Sequence, residues 1–340
     1  DGITIDLGGF TISGDRDTDD IGIDVNDHSR VTVRNGTVRN FGTGIRALNG
    51  NAEAFKMSNM TARDNRDWGA SLTVCFGSVS RSSFIDNGGG GLGFGAVCAT
   101  PSSSITSSTF VGNGGVAGLS FVAFSKSKIT RIVAAGNQTS GVTLDGTDFS
   151  FRSSTVAANT AEGVLLGPSS QNVTVANNLV IGNGLDGVLV ALGDTAFPNV
   201  VAANVVGGNG GSGVRLILDA QHVAIVGNRF VGNGHDGVTI ESPTGPSLVK
   251  GNTAIGNGGN GFSTINALTT FTKNAANANH DQGIFAFVSA IDGGGNIARA
   301  NGNGVTPCSA AITCPPAFTP KAGPVTPTCE MHVATSITFG

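Results

Sequence analysis

A glycine followed by an alternating apolar stretch returns along most of the chain, at Gly22, Gly44, Gly69, Gly91, Gly118, Gly141, Gly163, Gly187, Gly213, Gly237, Gly261 and Gly283. The intervals run from 22 to 27 residues, which is the range of solenoid repeats. An Asn-containing turn precedes each glycine from Gly44 onward, as in Ile-Gly-Asn-Gly-Leu-Asp-Gly at 181–187 and Val-Gly-Asn-Gly-His-Asp-Gly at 231–237. A unit this short cannot bury its own apolar side chains, so successive units must stack and share one continuous core.

Within each repeat the asparagines Asn87, Asn113, Asn137, Asn159, Asn183, Asn209, Asn233, Asn257, Asn279 and Asn301 occupy equivalent places. Gly and Asn tolerate the left-handed backbone, so a Gly-Asn pair marks one sharp corner per repeat. A second column, Asn178, Asn204, Asn228, Asn252, Asn274 and Asn296, marks another corner five residues earlier. Stacked side-chain amides at such corners can hydrogen-bond from one repeat to the next. Between corners lie short β-branched runs such as Val173-Thr174-Val175 and Val223-Ala224-Ile225-Val226, with almost no helical periodicity. The pattern describes a coil of two or three strands per turn.

The Gly-Val-x-Leu and Gly-Asn-Gly-x-Asp-Gly-Val motifs resemble those of right-handed parallel β-helix proteins of the pectate-lyase-like superfamily, in particular secreted bacterial ones. The resemblance covers about residues 1–303. It implies an all-β, right-handed parallel β-helix and says nothing about chemistry. About thirteen rungs at ~4.8 Å make a rod of roughly 60 Å. Residues 304–340 differ: six of the 11 prolines fall between Pro307 and Pro327, and the segment reads as an extended Pro-rich tail.

Composition narrows the function classes. Charged residues are 12 % of the chain, the net charge is −4, and the 19 Lys and Arg are scattered, so no basic patch exists for nucleic acid. No apolar run approaches the length of a membrane span. Five cysteines without metal-ligand spacing read as disulfides in an extracellular or cell-surface setting. Cys75 and Cys98 are one coil apart and should bond; Cys308 and Cys314 should form a second pair, leaving Cys329 as the odd thiol.

Enzymes of the resembled superfamily work on the outer face of a sheet. The alternation after each glycine places Val142/Leu144, Val164/Leu166, Val188/Val190, Val214/Leu216 and Val238/Ile240 inside. It leaves Thr143/Asp145, Leu165, Leu189/Ala191, Arg215/Ile217, Thr239/Glu241, Ser263/Ile265 and Phe285/Phe287 outside, a largely apolar face whose stripe Leu165, Leu189, Ile217, Ile265, Phe285 and Phe287 reads as an interface. The groove candidates for catalysis are Arg215, Asp219, His222 and Glu241, with Asp194 one rung earlier; they could supply carboxylate binding, a base and an acid.

Family signatures fail residue by residue. Of the polygalacturonase set only Asp19-Asp20 is present, Gly234-His235-Asp236 is not Gly-His-Gly, and the Asp-Pro-His-Asp of alginate epimerases is missing. No cofactor is implied. Asp15, Asp17, Asp19 and Asp20 form an oxygen-rich loop weighed as a Ca²⁺ site, but lack the glycine and closing glutamate of an EF-hand. Asp186 and Asp236, in the Gly-Asn-Gly-x-Asp-Gly motif, read as turn residues rather than as a calcium-binding roll.

Neither end of the expected rod shows a recognisable cap, and open sheet ends invite other chains. After Asn301 the chain is expected to leave through Pro and Thr without covering the last rung. Residues 330–340 read again as a strand, and Phe318, Val333, Ile337 and Phe339 can supply the apolar burial that stable association needs. The favoured expectation is therefore a non-enzymatic extracellular structural protein that self-associates head to tail into a filament through this strand. The alternative is a secreted polysaccharide-acting enzyme, lyase or glycosidase, or a carbohydrate-binding β-helix.

Overall fold

The computed structural model describes residues 2–315, apart from 18, 27, 49–53, 97, 99–101, 124–125, 193–197, 219, 221, 242–244, 267, 288 and 303–306. Asp194, Asp219, Phe318, Cys329, Val333, Ile337 and Phe339 thus lie outside the described residues, as does the proposed donor strand.

The chain winds as an all-β parallel solenoid of roughly 11 turns. One coil carries the strands Lys128–Thr130, Val133–Ala135 and Ser140–Gly146, so the expected two or three strands per turn resolve to three. The first two strands of each coil join a broad 24-stranded sheet and the third joins a 12-stranded sheet, here called the groove sheet. The repeat keeps every rung in register: Leu189 pairs with Arg215, Arg215 with Thr239, Thr239 with Ser263 and Ser263 with Phe285. Any outer-face column is therefore a straight row of side chains about 4.8 Å apart.

Two different constraints explain the two kinds of glycine. Gly182, Gly208 and Gly232, each just before a ladder asparagine, have φ of 63°, 62° and 60°, and Ala158 and Ala278 take the same left-handed turn at 54° and 53°. The rung glycine Gly213 instead has no such φ; a Cβ there would sit 2.6 Å from the Gly237 carbonyl and 2.6 Å from the Phe230 ring. It is small because the next coil passes directly against it.

The asparagine of each corner turns its side chain inward. From Asn65 to Asn301 every Nδ2 donates to the Oδ1 of the asparagine one coil on, at 2.7–3.1 Å. The backbone N–H of Asn183 donates to the same Oδ1 of Asn209, and Asn183 Nδ2 also reaches the Val156 carbonyl. The ladder thereby satisfies amides that would otherwise be buried without partners. A second ladder runs from Asn178 through Asn204, Asn228, Asn252 and Asn274 to Asn296. Ser82, Ser108 and Ser154 take its place in earlier coils, accepting backbone N–H bonds through their hydroxyls.

The inward alternation is as expected: Val142, Leu144, Val188, Val190, Val214, Leu216 and Val238 are fully buried. Aromatic residues stack along the axis, with the rings of Phe84 and Phe110 parallel at 5.1 Å. Both cysteine pairs are joined, Cys75 to Cys98 and Cys308 to Cys314.

The C-terminal end departs from the expectation that the chain leaves uncovered. The Gly283 amide donates to the Pro307 carbonyl, Ser309 N–H donates to the Ile284 carbonyl, and Ile312 is buried in the core at 4 % exposure. The Thr313 amide donates to Asp292 Oδ2 at 2.9 Å. The Cys308–Cys314 loop therefore seals the last coil. Its Pro and Thr content hid one apolar side chain placed where the core needs it. At the opposite end Ile3 and Phe10 are exposed, at 45 % and 77 %.

Candidate active site

On the outer face of the groove sheet, a cleft of about 470 Å³ is lined by Glu162, Leu185, Asp186, Leu189, Ser212, Arg215, His235, Asp236, Thr239 and Glu241 among others. Two columns build it. One is the outward position of the strands, carrying Leu189, Arg215 and Thr239 on successive rungs. The other is the residue before each rung glycine, which is Glu162, Asp186, Ser212, Asp236 and Asn260 in succession. Glu241 follows Ile240, and its N–H donates to the Leu216 carbonyl, so its side chain returns to the same face one rung beyond Arg215.

Arg215 organises the centre. Its Nη2 donates to Glu241 Oε2 at 2.8 Å and its Nε to Glu241 Oε1 at 3.2 Å, a two-pronged pair, while Nη1 lies 3.8 Å from Asp186 Oδ2. Asp186 Oδ1 accepts the Ser212 amide at 2.6 Å. Gly211 leaves that carboxylate room, since a Cβ there would sit 2.3 Å from Asp186 Oδ1. Ser212 and Thr239 hydroxyls share a hydrogen bond of 2.8 Å, and Thr239 Oγ1 is 3.1 Å from Asp236 Oδ2. Asp236 Oδ1 accepts the Asn260 amide at 2.6 Å.

Burial sets the proton chemistry. It pushes the Asp186 carboxyl above the usual carboxylate range, while the Ser212 amide and the Arg215 charge pull the other way. Burial likewise raises Asp236, against its hydrogen bonds from Asn260 and Thr239. Asp236 has both oxygens engaged, whereas among the described residues Asp186 Oδ2 has only the distant Arg215 nitrogen. Asp186 is thus the buried carboxyl with an oxygen turned to the cleft, and Glu241 is the ion-paired, half-exposed one.

The structure brings together Arg215 and Glu241 and separates His222 from them. His222 sits at a corner with φ of 53°, its N–H bonded to the Pro246 carbonyl, ahead of the strand Val223–Val226 in the broad sheet, and it does not line the cleft. Asp186, Asp236, His235 and Glu162 were not among the sequence candidates. The repeated Gly-Asn-Gly-x-Asp-Gly is the available signal for Asp186 and Asp236, and in sequence it reads as a turn. Leu165, Leu189 and Ile217 are half-buried, with Leu189 a wall of the cleft, while Ile265, Phe285 and Phe287 are exposed.

Elsewhere, a more open cleft of about 620 Å³ on the broad sheet holds serines with Lys126, Lys128 and the lone carboxylate Asp148, and offers no acid–base pair. Asp15, Asp17, Asp19 and Asp20 are exposed. Among the described residues no group of three or more His, Cys, Asp or Glu is placed to hold a metal ion. No helix among the described residues is long and apolar enough to cross a membrane.

Residues 22–199, more than half of the chain, match the family described as right handed beta helix region, and the protein belongs to that family. No curated protein matches the sequence. Several solved structures share the fold. The A-module of Azotobacter vinelandii mannuronan C-5 epimerase AlgE6 is 18 % identical with a TM-score of 0.65, over 89 % of this chain and 91 % of its own. The A-module of AlgE4 from the same organism is 16 % identical with a TM-score of 0.62, over 85 % and 87 %. A double mutant of the periplasmic alginate epimerase AlgG is 13 % identical with a TM-score of 0.63, over 82 % and 76 %.

These neighbours correct the expectation of a non-enzymatic filament-forming protein. The epimerases that the chain resembles along most of its length modify polysaccharides, and they favour the alternative, enzymatic reading over a purely structural one. The physical reason for the error is the groove face. Its outward positions are mostly apolar, and the carboxylates Asp186 and Asp236 beside them sit in a motif that reads in sequence as a turn.

Proposed function

We propose that the protein is a polysaccharide-acting enzyme, a glycoside hydrolase whose active site is the cleft around Asp186, Arg215 and Glu241. The observation that carries this reading is one guanidinium set between two carboxylates in different environments, one buried and one ion-paired. Because both lie against the same rigid guanidinium, their separation is at most about 9 Å, which does not exceed the roughly 9.5 Å upper limit that glycoside hydrolysis uses.

Asp186, raised by burial, is the general acid. Its proton passes to the glycosidic oxygen as the bond from the anomeric carbon breaks. Glu241 is the general base and takes a proton from the water that attacks that carbon. Arg215 positions both. Asp236 fixes Thr239 and Asn260 at the edge of the cleft. The epimerase likeness supports a polysaccharide as substrate, and the paired cysteines together with the periplasmic relative support a secreted or periplasmic location.

The test is new reducing ends from a panel of polysaccharides incubated with the purified protein. Release that Asp186→Asn and Glu241→Gln each abolish supports the reading. Equal release by wild type and both variants overturns it.

A further inference from the structure

We infer that the cleft takes an uncharged glycan, and that Phe285 and Phe287 form a stacking subsite for it two rungs beyond Glu241. This rests on the hydrolase reading and adds the substrate class.

Charge is the first support. Glu162, Asp186, Asp236 and Glu241 line the cleft, and Arg215 is the only Lys or Arg among its described lining residues. That cation is already engaged, with two hydrogen bonds to Glu241 and an approach to Asp186. A uronate polymer would bring a carboxylate on every sugar into a site whose described lining has more carboxylates than cations, with Arg215 already engaged and His235 the remaining basic side chain. An uncharged sugar brings hydroxyls, which donate to carboxylates and exchange hydrogen bonds with Ser212 and Thr239.

The second support is the continuation of the same face. Along the outward column Thr239 is followed by Ser263 and then Phe285; beside it Glu241 is followed by Ile265 and then Phe287. Phe285 is 41 % and Phe287 54 % exposed, side by side on one rung. Two rungs at about 4.8 Å put them about 10 Å from Glu241 along the rod. A polymer lying along the column would leave the carboxylates and meet two exposed aromatic side chains, whose rings suit the C–H faces of sugars. Continuity with the cleft is what assigns the stripe Ile265, Phe285 and Phe287 to glycan rather than to a second copy of the chain.

Calorimetric titration of the full chain at low ionic strength tests this, with cellohexaose, xylohexaose and N-acetylated chitohexaose as uncharged probes and hexagalacturonate and hexamannuronate as uronate probes. At least one uncharged probe should bind, at least about tenfold more tightly than either uronate. Phe285→Ala and Phe287→Ala should each weaken that binding about tenfold, with circular dichroism unchanged. Preferential binding or cleavage of a uronate overturns the substrate class and leaves the hydrolase reading standing. No binding of any uncharged probe overturns it as well. If sedimentation shows wild-type self-association that Phe287→Ala abolishes while oligosaccharide affinity stays unchanged, the stripe is a contact between copies and the subsite is wrong.

Discussion

Arg215 grips Glu241 of the adjacent rung by two parallel hydrogen bonds, at 2.8 Å and 3.2 Å, and leaves only its far nitrogen toward Asp186. The geometry depends on the planar fork, which lysine lacks. Arg215→Lys should therefore keep the charge but release Glu241. The expected result is a fall in kcat of about 10- to 100-fold with a smaller change in KM, because the base is misplaced rather than the glycan released. A lysine variant with unchanged kcat would remove Arg215 from its positioning role.

The buried carboxyl of Asp186 makes stability depend on pH in a defined direction. Its folded value lies above the ordinary 3.8, so the native state holds the proton more tightly than the unfolded chain does. That advantage is full below the unfolded value and is lost as pH rises through the raised folded value. Asp186→Asn, which stays neutral, should match wild type in Tm near pH 4 and exceed it at about pH 7. A pH-independent difference in Tm would contradict the assignment. Hydrolysis should decline over the same rise in pH, as the acid loses its proton.

The asparagine ladder predicts a large cost from a small change. Asn209 Oδ1 accepts both the backbone N–H and Nδ2 of Asn183, and Asn209 Nδ2 donates to Asn233. Asn209→Ala orphans buried groups on both sides and should cost about 2–4 kcal/mol in denaturant unfolding. The exposed hydroxyl of Ser13, which accepts from Asn40 Nδ2, is a control, where Ser13→Ala should cost less than about 1 kcal/mol.

Glycines that look alike in sequence should separate on substitution. Gly232→Ala meets nothing within 4 Å and carries only the strain of φ 60°, about 1 kcal/mol. Gly213→Ala drives a methyl into the Gly237 carbonyl and the Phe230 ring and should cost about 3 kcal/mol. Equal costs would mean that the coil spacing relaxes around position 213.

The fold was legible because the repeat exposes the same physical demand many times over. Val214 and Leu216 fall inside, and Arg215 outside, by simple alternation. The site was legible only in part. Arg215 and Glu241 lie on predictable outward positions, but Asp186 shares its motif with ordinary turns. What makes it special is the Ser212 amide 26 residues away and the bare Gly211 that admits its carboxylate. His222 lies outside the cleft although only seven positions divide it from Arg215 in sequence, because it sits at a left-handed corner ahead of a strand of the other sheet. The end cap was missed because Ile312 is one core residue in a loop whose composition reads as linker.

The most direct measurement is the rate of reducing-end release from the best uncharged glycan, compared among wild type, Asp186→Asn and Glu241→Gln at equal concentration. The account predicts that each variant loses about 10²- to 10⁴-fold in kcat while still binding the oligosaccharide by calorimetry. Turnover in both variants at the wild-type rate would contradict it, since the cleft at Arg215 would then not be where the bond is cut.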